Sequence, residues 1–326
     1  MKIYRSIAEL KQSPLPAGKR IIATLGLFDG VHLGHRHLIG ACCAMAREMD
    51  AESMVITLDR HPLDVLRPDL PRPHTLCSLR QKVELIRRVG ADHLLILPFD
   101  KALAGKSLTE FLQPIVESGL AGMMLGYDNR FGNDGSQYSQ EEFDRRLRAL
   151  GLEVRRVEPL ESDGAAVSSS RIRALIAQND LEATERLLGR PYSILGRVKS
   201  GRRIGRTLGF PTANIVPEDP RVTLPQEGVY ITEVRLRDRV YPSMSYYGST
   251  PTITPDGVPI NRIEAYLFDF EGDLYGEELE VGFRKFVRGD QQFENLDALT
   301  RQLEKDAQTT VDFFKSHDLM MKEVEL

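Results

Sequence analysis

Short apolar runs alternate with stretches of helical period through the first half of the chain. The runs Ile21–Leu27, Met54–Leu58, His93–Phe99, Gly122–Gly126 and Glu153–Val157 are five to seven residues long. Apolar runs of that length, set apart by helix-length segments, predict strands covered on both faces. A helix over His35–Met49 follows the first of them. Ser78-x-x-Gln81, Ser107-x-x-Glu110 and Ser139-x-x-Glu142 have the spacing of capping boxes. Each opens a further helical stripe, such as Val83, Ile86 and Val89. Repeated strand–helix–strand order predicts right-handed crossovers and an open parallel sheet. Ligands of such sheets sit beyond the carboxyl ends of the strands, where the strand order reverses.

The pattern changes after about residue 186, at Leu188-Gly189-Arg190-Pro191. Beyond it, Tyr192–Val198, Val229–Leu236, Val240–Tyr247, Ile263–Phe270 and Leu279–Val287 read as strands separated by Gly, Pro and Asp turns. They predict a small, mostly antiparallel sheet or barrel. A terminal helix is expected from Leu296, capped by Asn295, with Leu296, Leu299, Leu303, Ala307, Val311 and Phe314 as its apolar stripe. The tail Met320–Leu326 is expected to fray. The chain thus divides into a parallel α/β domain, residues 1–186, and a barrel domain, residues 187–326.

Composition narrows the functional classes. The chain has 326 residues, 41% hydrophobic and 28% charged, enough for sizeable cores. The formal net charge of −4 provides no overall basic field for nucleic acid. No apolar run reaches the ~18 residues of a membrane helix, and residues 1–20 lack the apolar core of a secretory signal. Three cysteines, Cys42, Cys43 and Cys77, show no Cys-x-x-Cys spacing, which fits a reducing cytoplasm.

Two segments carry chemistry. In the first, Gly26-Leu27-Phe28-Asp29-Gly30-Val31-His32-Leu33-Gly34-His35 joins a strand to a helix. Gly26, Gly30 and Gly34 allow close approach of a ligand to the backbone. The helix N-terminus favours phosphate. His32 and His35, three residues apart, can face one anion and stabilise charge developing on it. No acid, serine or cysteine stands as an obvious nucleophile, so direct transfer is expected. An ordinary Gly turn with a surface histidine is the plainer alternative. A metal on His32, His35 and His37 is another, although no Cys or carboxylate completes a ligand spacing nearby. Ser168-Ser169-Ser170-Arg171-Ile172-Arg173 adds a hydroxyl-rich helix start with two cations, suited to phosphate or to simple capping.

The second segment runs from Gly196 to Asn214. It includes Gly201, Gly205 and Gly209 with Lys199, Arg202, Arg203 and Arg206. It lacks the ending of a Walker loop, but its glycines and cations suit a loop folded over phosphates, and equally a Gly-rich β-turn. Thr212 and Asn214 in Pro211-Thr212-Ala213-Asn214 are hard oxygen ligands suitable for Mg²⁺.

Taken together, these segments resemble the bacterial bifunctional riboflavin kinase/FMN adenylyltransferases (FAD synthetases) from about Ile21 to Asp306. The His-x-Gly-His element is that of the nucleotidyltransferase superfamily, with a Rossmann-like parallel sheet. Leu27 stands where the flavin branch often has Asn. Gly126-Tyr127-Asp128-Asn129-Arg130-Phe131-Gly132 resembles the family's Gly-x-Asp-Phe-Arg-Phe-Gly loop, with Asn129 in place of Phe. Ser168 to Arg173 resembles its Ser-Ser-Thr-Arg-Ile-Arg, with Ser170 in place of Thr. Thr57-Leu58-Asp59-Arg60-His61-Pro62 resembles its Thr-Phe-x-Pro-His-Pro, departing at Leu58 and Arg60. Pro211 to Asn214 matches the kinase motif.

The resemblance implies that ATP phosphorylates riboflavin to FMN in the second domain, and that AMP transfer from ATP to FMN in the first gives FAD and pyrophosphate. It implies catalytic roles for His32, His35 and Glu264, and Mg²⁺ on Thr212 and Asn214. Nucleotide or flavin binding would fall to Gly26, Phe28, Asp29, Gly30, Gly34, Asp128, Arg130, Ser168, Ser169, Ser170, Arg171, Arg173, Gly201, Gly205, Gly209 and Arg288, the last also able to pair with the final helix. Tyr246 and Thr250 replace the family's usual Asn and Arg. An FMN adenylyltransferase with a kinase-deficient, flavin-binding second domain is therefore the alternative. The implied partners are small molecules, with no nucleic acid and no membrane; no motif specifies an oligomeric state.

Overall fold

The structure, a computed structural model, describes residues 1–13, 19–69, 75–200, 209–248 and 262–317. Gly201, Gly205, the arginines between them, Thr250 and the tail after 317 lie outside the described residues. The chain forms two compact units: Met1–His74 with Leu79–Ser169, and Thr75–Ser78 with Ser170–Leu326.

In the first unit the strands are β1 (Lys2–Tyr4), β2 (Ile21–Leu25), β3 (Glu52–Leu58), β4 (His93–Leu97), β5 (Leu120–Gly126) and β6 (Glu153–Val157). They form one sheet in the order β1-β4-β3-β2-β5-β6. All neighbours run parallel. The order reverses between β2 and β5, so the loops leaving these two strands flank the switch point. The helices are α1 (Ile7–Gln12), α2 (Leu33–Glu48), α3 (Leu63–Leu66), α4 (Leu79–Val89), α5 (Lys101–Ala104), α6 (Leu108–Val116) and α7 (Gln140–Ala149).

Alternate strand residues feed two cores. Ile21, Ala23, Met54 and Ile56 pack with Phe111, Leu112, Phe143 and Leu147 of α6 and α7. Ile22, Val55, Leu94 and Ile96 pack with Ile39, Cys42 and Met45 of α2 and Ile86 of α4. Runs without polar alternation are what a sheet sandwiched between two helix layers requires. Two predicted strands end early, at Leu25 and Leu97, where the chain peels away into loops. β1, only three residues long, is too short to register as periodicity. Ser107 and Glu110 form the complete capping box. Ser139 caps through the Glu142 N–H, but the Glu142 carboxylate turns to Arg145 and Arg146 instead.

A small hairpin, β7 (Glu161–Ser162) and β8 (Ala165–Ala166), precedes α8 (Ser169–Ala177) and α9 (Leu181–Leu188). Then come β9 (Tyr192–Lys199), β10 (Ala213–Pro217), β11 (Gly228–Leu236), β12 (Arg239–Gly248), β13 (Arg262–Leu267) and β14 (Glu278–Arg288). They close a barrel in the order β10-β13-β12-β11-β14-β9. Every pair is antiparallel. β10 starts immediately after Thr212 and carries Asn214, a ligand-type residue that concealed a strand in the sequence.

The second unit begins before the Gly-Arg-Pro punctuation at 189–191, because α8 and α9 are bonded to the barrel. Arg284 on β14 donates to Glu185 of α9 and to Glu233 of β11, both at 2.7 Å. The Asn179 side-chain oxygen accepts from the Gln226 N–H at 3.1 Å and the Tyr230 hydroxyl at 3.0 Å. The short segment Thr75–Ser78 joins the same unit. Its Thr75 carbonyl accepts the Thr223 N–H at 2.7 Å, and the Ser78 hydroxyl reaches Glu218 at 2.7 Å.

The terminal helix α10 (Leu296–Ser316, 21 residues) starts at Asn295, whose side chain accepts the Ala298 N–H at 2.9 Å. Its apolar stripe is only partly realised. Phe314 is buried, but Leu296 is 62% exposed. Asp306 and Thr310 occupy the buried face instead. Asp306 is satisfied there by Arg288 (2.8 and 3.0 Å) and Gln302 (2.8 Å). Removing a partner from such a pair strands a buried charge, which typically costs about 3 kcal/mol. Asp306→Ala should lower unfolding stability by that order in a denaturant titration; a change below about 0.5 kcal/mol would show the pair to be idle.

Candidate active site

The loop leaving β2 is the most constrained part of the first unit. Phe28 (φ 50°), Gly30 (φ 76°) and Val31 (φ 40°) all adopt the left-handed conformation. For a β-branched residue this is costly, on the order of 1–3 kcal/mol. Phe28 and Val31 are each 1% exposed and belong to the core beneath α2. Burial of two such side chains is worth roughly 1.5–3 kcal/mol each, enough to offset the strain. Three side chains pin the loop's carbonyls. Asn129 donates to Leu25 O (2.5 Å), Thr57 to Leu27 O (3.1 Å) and Ser169 to Asp29 O (2.9 Å).

The loop delivers His32 to the N-cap of α2, three residues ahead of the expected helix start at His35. Its Nδ1 accepts the His35 N–H at 3.2 Å. In the neutral ring that bond places the proton on Nε2. The rings of His32 and His35 stack with centroids 3.6 Å apart and 16° between planes. Phe28 meets His35 edge-on at 5.2 Å. Burial holds the His35 imidazole well below its ordinary pKa, and the charges of His32 and Lys82 push the same way. His35 is therefore a neutral ring near pH 7, and its Nδ1 is buried without a hydrogen-bond partner among the described residues. A Cβ on Gly34 would lie 3.3 Å from the His32 ring and 3.1 Å from Val167 O, so glycine permits the stack. His37 lies about 200° further round the helix from His35. It is exposed, so the three histidines do not converge.

Across the switch point, the β5 loop places Asp128 and Arg130 at the surface. Arg130 donates to Tyr138 O at 2.9 Å. Asn129, the departure from the family pattern, is the residue that ties this loop to β2. Arg156 of β6 braces the loop by donating to Gly126 O at 2.6 Å while paired with Asp144 at 2.7 Å. Ser168 precedes α8, and Ile172 is buried. Ser169 serves the loop rather than standing open for phosphate, and Ser170 accepts from Arg173 at 3.2 Å. His61 accepts the Leu63 N–H at 3.2 Å at the start of α3.

Sequence reasoning missed Arg156 and Lys82, and named Thr57 only as part of a motif, without its bond to Leu27 O. Lys82 left a trace of its own: it sits four residues before Ile86, on the apolar stripe of α4.

In the barrel unit the candidate residues share one row. Register aligns Lys199 with Asn214, Asn214 with Glu264, and Glu264 with Tyr246. Neighbouring Ala213, Ala265 and Ser245 are buried in the barrel interior, so the row lies on the outer face. Thr212 Oγ1 is 3.5 Å from Glu264 Oε2. Thr212 and Asn214 line a cavity of about 750 Å³ shared with Lys199, Tyr266, Phe270 and Tyr275. The hydroxyl, amide and carboxylate oxygens of Thr212, Asn214 and Glu264 fit a hard cation that retains water and phosphate ligands. No cluster of three or more His, Cys, Asp or Glu able to hold a metal exists among the described residues.

Gly209 (φ +81°) opens the approach to this segment. Burial pushes the Tyr246 phenol above its ordinary pKa, helped by the charges of Asp290, Glu227 and Glu264. Its ring folds over Gly248, where any Cβ would collide with the phenol oxygen. Arg288 pairs with Asp306 of the terminal helix, as the sequence allowed.

Comparison with known proteins gives a match for each part of the chain. A family profile described as FAD synthetase matches residues 16–171, and one described as riboflavin kinase matches 188–314. Bifunctional riboflavin kinase/FMN adenylyltransferases from Escherichia coli K12 and Bacillus subtilis 168 are similar. They share 33% identity over 96% of this chain and 98% of theirs, and 32% over 90% and 93%, respectively. The enzyme of that name from Pseudomonas fluorescens is 34% identical over 94% and 96%. A crystal structure described as a macrolide-efflux protein from Streptococcus pneumoniae matches with a TM-score of 0.80 and 29% identity, over 92% of this chain and 96% of its own. No helix among the described residues is long and apolar enough to cross a membrane. On this sequence similarity, sustained over nearly the whole chain, the chain belongs to the bifunctional riboflavin kinase/FMN adenylyltransferase family.

Proposed function

We propose that this chain phosphorylates riboflavin with ATP and then adenylylates the FMN formed, giving FAD and pyrophosphate. The observation that carries the second step is the stacked His32–His35 pair at the N-terminus of α2, beside the sheet's switch point. A phosphate oxygen of FMN attacks the α-phosphorus of ATP. The bond from that phosphorus to the bridging oxygen breaks, and pyrophosphate leaves with the electron pair. His32, with its proton on Nε2, and His35, held neutral, stabilise the charge gathering on the α-phosphate by N–H donation rather than by two adjacent positive charges. The unpaired N–H groups and dipole of α2 add to the same field.

Asp128, Arg130 and the segment from Ser168 to Arg173 bind nucleotide and flavin phosphates, with Ser169 acting through the Asp29 carbonyl. Gly26, Phe28, Asp29, Gly30 and Gly34 form the wall of that site. Helices α8 and α9 carry the Ser-Arg motif of this activity yet fold with the barrel. The activities therefore divide near residue 186, while the packing divides at Ser169.

In the barrel, Glu264 accepts the proton of the terminal ribityl hydroxyl as its oxygen attacks the γ-phosphorus of ATP, and ADP leaves. Thr212 and Asn214 would hold Mg²⁺, which would neutralise charge on the transferring group. Gly201, Gly205 and Gly209 would cover the phosphates. Arg288 positions the end of β14 through Asp306. The three buried cysteines, none of them in a disulfide, suit the reducing cytoplasm expected from the sequence.

His32→Ala should cut FAD formation from FMN and ATP by about 10²-fold or more while riboflavin phosphorylation persists, read by chromatography of products. Glu264→Gln should do the reverse, lowering FMN formation by about 10²-fold or more. Equal loss of both activities in either variant would refute the division of labour. No FMN from riboflavin with the unaltered chain would favour the kinase-deficient alternative.

The depressed pKa of His35 also has a stability consequence. The unfolded chain protonates this ring near pH 6.5 and the folded chain only at lower pH, so the unfolded state binds more protons as pH falls through that region. Unfolding stability should therefore decline from about pH 6.5 downward, and His35→Gln should flatten the decline. An unchanged slope in that variant would place the pH dependence elsewhere.

A further inference from the structure

Glu264 has a neighbour on each side on the outer face of the barrel. Asn214 of β10 stands opposite it on one side and Tyr246 of β12 on the other. Adjacent strands lie about 4.8 Å apart, so the three residues stand abreast. The cavity that takes Thr212 and Asn214 draws its lining from β9, β10, β13 and the turn after β13. Tyr246 keeps a defined pose on the other side. Its ring runs along β12 over Gly248, where a Cβ would collide with the phenol oxygen. Gly248 pairs with Arg262, two residues before Glu264. The phenol oxygen is therefore displaced along the strands from the level of Glu264 by roughly 7 Å, one two-residue repeat. The hydroxyl donates to the Asp290 carboxylate, and burial keeps the proton on the phenol. A hydroxyl that gives its proton to one partner retains lone pairs with which to accept from another.

In-line phosphoryl transfer places the attacking oxygen opposite the leaving one. With the nucleotide phosphates on the β10 side, the acceptor's terminal hydroxyl reaches Glu264 from the β12 side, and its chain passes over Tyr246. We propose that Tyr246 is a substrate-binding residue for the acceptor of phosphoryl transfer, its phenol oxygen accepting a hydrogen bond from an internal hydroxyl of the ribityl chain. This inference rests on the riboflavin-phosphorylating reading above. An extended polyol chain that ends at Glu264 carries further hydroxyls along the direction in which the phenol oxygen is displaced. Asp290, by taking the phenol proton, turns the lone pairs of that oxygen toward the chain.

The test uses the whole chain, with FAD formation from FMN in the same preparation as an internal control. Two acceptors are compared: riboflavin, and a flavin with a hydroxypentyl chain, which keeps the terminal hydroxyl and lacks those between. Tyr246→Phe retains the ring and removes the phenol oxygen. The variant should raise KM for riboflavin in FMN formation by about threefold to tenfold. Its KM for the hydroxypentyl flavin should stay within about twofold of the unaltered chain's. An unchanged KM for riboflavin would overturn the proposal. So would an equal rise for both acceptors, which would assign the effect to the shape of the site. If the Phe variant unfolds, seen as a lowered melting midpoint, the unaltered chain decides. A KM for the hydroxypentyl flavin at least about threefold above that for riboflavin supports the contact, and equal values refute it. No phosphorylated product from either acceptor with the unaltered chain would refute the phosphoryl-transfer reading itself, separately from Tyr246.

Discussion

The first site depends on a strained turn that the core holds in place. Phe28 and Val31 adopt backbone conformations that neither would choose alone. Their side chains are buried under α2, and three donors on β3, the β5 loop and α8 fix the carbonyls between Leu25 and Asp29. Without that frame, His32 would not reach the N-cap position. The imidazoles would then lose the alignment that sets one ring's tautomer and keeps the other uncharged. Strain at a functional loop, offset by burial nearby, is a recurrent arrangement at sites that must be organised before substrate arrives.

The barrel site rests on a different constraint. Antiparallel register, not a loop, lines up Lys199, Asn214, Glu264 and Tyr246 across four strands. A slip of one residue in any of these strands would turn its member of the row into the interior. The buried row beneath them, Ala213, Ala265 and Ser245, secures the register because its small side chains fit only one face. Tyr246, where the family usually has Asn, sits directly opposite Glu264, within the field of three carboxylates. The departure adds an aromatic ring to the row without disturbing the fold.

Much of this was legible in the sequence because buried parallel strands and capped helices leave strong local signals. The Ser107 capping box, the Asn295 cap and five of the six parallel strands follow from periodicity and end-group chemistry alone. The legible part of the sites was the set of residues that a ligand would touch. The supporting residues were hidden: Thr57, Asn129 and Arg156 act through backbone carbonyls distant in sequence, and no spacing rule encodes such bonds. The terminal-helix stripe misled for a related reason. Asp306 is buried on the helix face because Arg288, 18 residues away, neutralises it. Likewise β10 was obscured because its ligand-type residue, Asn214, sits on a strand.

The central claim is that one chain makes its own flavin acceptor on the barrel and adenylylates it at the imidazole pair. The most direct measurement is a time course of products from riboflavin, ATP and Mg²⁺ with the purified chain. FMN should appear first and FAD should follow, with pyrophosphate released in step with FAD. Accumulation of FMN without FAD, or FAD formation without pyrophosphate, would contradict the account.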